Sequence, residues 1–148
     1  ALKHRLSLIA NTFALRSSFA DNYLNVQRTT KQQGAVFEVI REAGRPLSPG
    51  EVLKLASKTV SSLNLATVYR NVNAMVSDKV IVQVDVLGQA PRYEVANLPH
   101  HHHFLCDKCD RLYDVEGCPG GISHLVPPGF KLTTHELVMK GNCRNCRT

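Results

Sequence analysis

The stretch NLATVYRNVNAMVSDKVIVQVDVLGQAPRYEV, residues 64–95, changes its hydrophobic period partway along. Up to Lys79 the period is helical: Asn64 is a cap, and Leu65, Val68, Val72, Met75 and Val76 share one face. Beyond it Val80, Val82, Val84 and Val86 alternate at period 2, and Gly88 in LGQA joins this run to PRYEV, which predicts a β-hairpin. Two helices are predicted upstream. TKQQGAVFEVIREAG (30–44) places Val36, Val39, Ile40 and Ala43 on one stripe and ends on Gly44, a residue suited to a left-handed stop. SPGEVLKLAS (48–57) opens with a capping box, Ser48 at the cap, Pro49 at the first helical position and Glu51 at the third, and carries Val52, Leu55 and Ala56 inward. Three helices followed by a hairpin describe a winged helix-turn-helix, whose third helix is the element that enters a DNA major groove.

Charge and side-chain chemistry agree with that reading. The net charge is +6, and it is uneven: +5 over residues 1–95 and +1 over 96–148. On the third helix the face opposite the apolar stripe is expected to present Thr67, Tyr69, Arg70, Asn71 and Asn73. Arginine suits guanine, asparagine adenine, and threonine and tyrosine phosphate oxygens. A polar helix face alone more often meets only water; the hairpin and the basic bias turn the reading toward nucleic acid. No run approaches the ~18 to 20 apolar residues that span a membrane.

The second half has a different chemistry. PHHHHFLCDKCDRLYD (99–114) sets four consecutive histidines ahead of Cys106 and Cys109, and a second C-x2-C pair, Cys143 and Cys146, follows after 33 intervening residues. Cys118 is left over, and the odd count argues against a secreted disulfide framework. Two such knuckles supply the four thiolates of a closed tetrahedral structural zinc site. A thioredoxin-like redox pair would open a helix, whereas FLCDKCDRLYDV reads as strand, turn and strand. The 53 residues from Ala96 onward are too few for a strong core, so a metal staple makes physical sense.

Taken together, NLATVYRNVNAMV, RYEV, the histidine run, CDKC, KLTTHELVMKGNC and the closing C-x2-C resemble the ferric uptake regulator family of bacterial metal-dependent repressors, over roughly residues 28 to 146. The resemblance implies an α+β protein: a winged-helix DNA-binding domain over 28–86 with its hinge near 84–86, then a small α/β dimerisation domain over 87–148, with the wing strand 92–95 at the boundary. It implies a homodimer reading a palindromic double-stranded operator in the bacterial cytoplasm, with no membrane partner and no small-molecule substrate. Cys106, Cys109, Cys143 and Cys146 match the family's structural zinc site, and Glu94, His101, His103 and Asp114 match the hinge-side regulatory site. In an extended segment His101 and His103 point to one side and His100 and His102 to the other, and the resemblance implies a second regulatory set of His100, His102 and His135 completed by Cys118, or by Glu116 or His124 if Cys118 is only a small residue at the GCPGG turn. DNA contacts are expected from Arg28, Thr67, Tyr69 and Arg70.

The chain departs from the family pattern in places. Arg45 and Pro46 stand where a histidine often supplies a hinge-site ligand, Gln33 stands where an arginine is usual, and Cys118 falls near the place of a glutamate. Thiolate favours zinc over ferrous iron. A zinc uptake regulator controlling metal-uptake genes is therefore the expected member, with structural Zn2+ and regulatory Zn2+. An iron or peroxide regulator using Fe2+ or Mn2+ is the second reading, since Glu94 and Asp114 are harder donors and Ala96 replaces a cysteine common in zinc sensors. A zinc metalloenzyme is the rival from another class, but the chain has no H-E-x-x-H motif and no evident nucleophile–base pair. Residues 1–27 lie outside the resemblance; their Leu2, Leu6, Ile9 and Phe13 approach helical spacing.

Overall fold

The computed structural model describes residues 30–147; the 1–27 extension and Arg28 lie outside them. Three helices come first. α1 (Lys31–Ala43) starts where the Thr30 side chain accepts the Gln33 N–H and stops at Gly44, whose φ of 63° needs a residue without Cβ strain. α2 (Pro49–Ala56) carries the expected reciprocal capping box between Ser48 and Glu51. α3 (Leu65–Ser77) is capped by Asn64, which accepts the Thr67 N–H at 2.9 Å. Their inward stripes meet in one core that includes Val36, Phe37, Ile40, Val52, Val68, Val72 and Met75.

The hairpin follows. β1 (Ile81–Val84) pairs antiparallel with β2 (Arg92–Val95), Ile81 opposite Val95 and Val84 opposite Arg92. Reciprocal backbone bonds of 2.9 Å between Leu47 and Tyr93 tie β2 to the segment between α1 and α2. The even valine alternation does not survive: Val80 and Ile81 are both buried, while Val82 is 39% exposed. Lys79 adopts a left-handed φ of 58° and the Val80 N–H bonds the Met75 carbonyl. Val80 thus enters the core from the helix–strand joint, and the strand begins only at Ile81. The connection at the hairpin tip runs from Asp85 to Pro91, longer than LGQA, and turns at Gly88.

The described residues divide into two compact units, one ending at Pro99 and the other beginning at His100. The 92–95 strand belongs to the first because β1 and Leu47 both pair with it, so the division falls later than the 86/87 boundary expected from sequence. The second unit is a three-stranded sheet of order β4-β3-β5. β3 (His101–Cys106) runs antiparallel to β4 (Leu112–Glu116) and parallel to β5 (Val138–Gly141). An α/β domain was expected here, and the structure corrects that: among the described residues this unit has no α-helix, only a 3-10 turn at Ile122–Leu125. Gly117, Pro119, Gly120, Gly121, Pro127, Pro128 and Gly129 fill the segment where a helix would run, and each opposes helix propagation. Mixed helix and strand content nonetheless keeps the chain in the α+β class.

Candidate metal centres and nucleic-acid face

β3 ends in the first knuckle. The Asp110 N–H reaches back to the Cys106 carbonyl at 2.9 Å, and Asp110 takes a left-handed φ of 56° to close the turn. A matching 2.9 Å bond runs from the Cys146 N–H to the Cys143 carbonyl. The sulfurs of Cys106, Cys109, Cys143 and Cys146 lie within 4.8 Å of one another, with Cys109 and Cys143 at 3.8 Å. The Cys143 N–H donates to the Cys106 sulfur at 3.3 Å. That bond, ahead of the opposing effect of burial, brings the Cys106 thiol down to about 6. A hydrogen bond with Tyr113 lowers Cys143, and the Cys143 sulfur beside it pushes Cys146 up to about 12. Four sulfurs this close cannot all ionise against one another; a divalent cation at their centre resolves the repulsion, so the set fits zinc. Spacing gave no sign of Tyr113, which sits opposite Phe104 across the β3–β4 ladder and reaches a ligand sulfur.

The four histidines divide by face. His101 and His103 have ring centroids 4.9 Å apart, and Asp114 is the ladder partner of His103; the three offer donors within 4.8 Å of one another. Glu94, the fourth residue expected in this set, is buried on β2 of the first unit. On the other face His100, His102, Cys118 and His135 also bring donors within 4.8 Å. Cys118 Sγ is 3.0 Å from His135 Nε2, which lies 3.3 Å from His100 Nε2. His102 is only 1% exposed, and among the described residues neither of its ring nitrogens has a hydrogen-bond partner. Burial, then the neighbouring histidines, lowers its pKa, so the neutral, metal-ready imidazole is favoured.

On α3, Tyr69, Arg70 and Asn73 lie on the outer face with Leu65 and Ala66. Thr67 does not join them: at 6% exposure it flanks the apolar stripe, and Arg70 Nη2 lies 3.4 Å from its hydroxyl. Asn71 is half-buried on the same flank. The rule that a polar residue faces water overlooked that residues one position from Val68 and Val72 sit about 100° around the helix, at the edge of the buried stripe. Where a histidine donor is usual, Arg45 instead holds Glu51 at 2.5 Å and the Pro46 carbonyl at 3.1 Å.

A helix-turn-helix unit followed in the chain by cysteine and histidine clusters that could hold metal points to the class of metal-binding, DNA-binding transcriptional regulators. Residues 25–140 match the model of the ferric uptake regulator family, and the chain belongs to that family. Its members are metal-binding, DNA-binding repressors that act as dimers, and they are regulators, not enzymes. The Ferric uptake regulation protein of Helicobacter pylori strain J99 is 27% identical over 138 residues, covering 90% of this chain and 89% of its own. Among solved structures, the H. pylori ferric uptake regulator superposes with a TM-score of 0.64 at 24% identity, covering 96% of this chain and 93% of that one. A zinc-bound manganese uptake regulator gives 0.69 at 20% identity, covering 89% and 98%. At these identities the structural likenesses establish the fold. No helix among the described residues is long and apolar enough to cross a membrane.

Proposed function

We propose that this regulator represses metal-uptake genes in response to zinc, binding a palindromic operator as a homodimer. The regulatory ion is held by His101, His103 and Asp114, with Glu94 as the fourth ligand that the family resemblance supplies. The four-cysteine site carries structural zinc, and His100, His102, Cys118 and His135 form a second regulatory site. The observation that carries the reading is the four-histidine run leading into β3, whose two sides each converge with further donors. The solved H. pylori regulator is described as having three functional metal-binding sites, and this chain has three groups of His, Cys and carboxylate donors that could hold an ion. The Cys118 sulfur in the second set favours zinc over ferrous iron. A second reading, iron or manganese, draws on the Asp114 carboxylate and on relatives named for ferric uptake.

In this reading Tyr69 and Arg70 contact the operator from α3. Metal shifts the protein toward its DNA-competent state only by binding that state more tightly. Metal affinity requires the imidazoles to be neutral and the carboxylate ionised, so binding falls at low pH. Gel shifts with Zn2+, Fe2+ and Mn2+ test it. His101→Ala and His103→Ala should lower metal-dependent operator affinity by about 5- to 150-fold, the span of a 1 to 3 kcal/mol coupling. Unchanged metal-dependent binding in both variants would place regulation elsewhere, and a response to Fe2+ but not Zn2+ would select the second reading.

A further inference from the structure

The two faces of the four-histidine run that leads into β3 differ in donor hardness. One face joins His101 and His103 to the Asp114 carboxylate. The other joins His100, His102 and His135 to the Cys118 sulfur, with no oxygen donor in the set. Resting on the metal-dependent reading above, we propose that the strand sorts two classes of ion: the Cys118 face is reserved for a thiophilic cation of the zinc class and rejects oxygen-preferring ions such as Mn2+.

Three observations carry this. First, His102 is buried with both ring nitrogens lacking a hydrogen-bond partner among the described residues. Such an imidazole has lost its water without compensation, and a coordinated cation supplies what is missing. Second, Cys118 Sγ, His135 Nε2 and His100 Nε2 are already in sequence at 3.0 and 3.3 Å. Three imidazoles and one thiolate give a four-donor set of the kind that zinc accepts without geometric strain. Manganese, which prefers carboxylate, carbonyl and water, finds none of these among the four donors. Third, every ligand lies in the second unit, and Cys118 and His135 stand at the two ends of a segment whose regular structure is a single 3-10 turn. An ion there fastens both ends of that segment to β3. On binding, the Cys118 thiol gives its proton to solvent and its sulfur takes the metal, while the histidines coordinate as neutral bases.

Metal content reads the proposal directly. The full chain, keeping its four-cysteine zinc and stripped of other ions by chelator, is equilibrated with Zn2+ alone and with Mn2+ alone. Zinc should fill both strand faces and manganese only the carboxylate face. Cys118→Ser should weaken zinc retention at one site by at least about 10- to 100-fold in chelator competition, since even an outer partner of a ligand is worth that much. Cys118→Glu should admit manganese at the same site. With Co2+ as probe, Cys118→Ser should lose a thiolate-to-cobalt charge-transfer band that the parent gains above the background of its four-cysteine site. If Cys118→Ser also sheds the four-cysteine zinc, His100→Ala, an exposed ligand of the same site as Cys118, decides by reproducing the selective loss or not. Manganese filling both faces of the parent, or zinc held as tightly in Cys118→Ser and His100→Ala as in the parent, would overturn the proposal. Gel shifts on the same samples report separately: intact metal-dependent operator binding with unchanged selectivity sinks this inference and leaves the regulatory reading standing.

Discussion

The two units are held together by different means. In the first, fifteen buried apolar residues from three helices, the hairpin and their connections form a single cluster. In the second, the buried apolar residues among those described are Leu105, Cys106 and Leu112, and one of these belongs to the four-cysteine cluster; the fourth buried side chain is His102. Its loop leaves Leu125 84% and Phe130 74% exposed. A core of that size cannot offset the conformational entropy of ordering the chain around it. The donor clusters sit in the unit that lacks a core, so metal binding there is expected to be coupled to folding, whereas the helical unit has an apolar core of its own.

Removing the structural metal gives the largest test of that contrast. Cys106→Ser, or strong chelation, should abolish hydrogen-exchange protection across β3, β4 and β5 while the far-ultraviolet signal of the three helices persists. Structural zinc contributes an apparent ~10 to 16 kcal/mol in small domains, about the whole stability available here. Sheet protection that outlived the zinc would break the comparison. The converse experiment is a cavity in the first unit. Phe37 is fully buried, and Phe37→Ala should lower the stability of the helical unit by about 3–5 kcal/mol in urea unfolding, with zinc content unchanged. Concerted loss of zinc would show that the units are not energetically separate.

What was legible in the sequence follows from the range of the interactions. The caps at Ser48 and Asn64 and the stop at Gly44 are closed by residues a few positions apart, and the corresponding helix ends fall where these residues put them. The paired knuckles were legible because C-x2-C spacing is itself the geometry of the turn. Burial at the edges of elements was not. Thr67 and Leu65 exchanged expected places, the threonine covered and the leucine 44% exposed, because packing at the first turn of α3 depends on what lies against it. The strand start at Ile81 was hidden because Lys79 takes a left-handed backbone that no period predicts. Cys118 and His135 meet across seventeen positions, a loop closure that spacing leaves open.

A smaller effect sharpens the functional side of the contrast. Arg70 lies on the outer face of α3, and if it forks onto a guanine, Arg70→Ala should cost about 1–3 kcal/mol on the operator and relax preference at one base per half-site. Its stability and zinc content should match the parent. Equal binding by parent and variant to every duplex tested would remove Arg70 from base readout.

The smallest effect asks whether charge matters in the unit built on apolar burial. Glu51 is half-buried at the start of α2, and burial alone would raise its carboxyl. The Arg45 guanidinium at 2.5 Å and the Ser48 N–H at 3.0 Å outweigh that and bring it below its ordinary 4.5. A carboxyl whose pKa is depressed on folding stabilises the folded state above its unfolded pKa, and the benefit is lost as pH falls through the lower folded value. Glu51→Gln keeps an acceptor for the capping bond but removes the ion pair. Its cost at neutral pH should be about 0.5–1 kcal/mol, since the pair is partly solvated. In urea unfolding followed by the helical signal, that gap between parent and variant should close below the ordinary carboxylate range, where Glu51 is protonated in both states. A gap of the same size at both pH values would assign the loss to cap geometry and leave the Arg45 pairing without energetic weight.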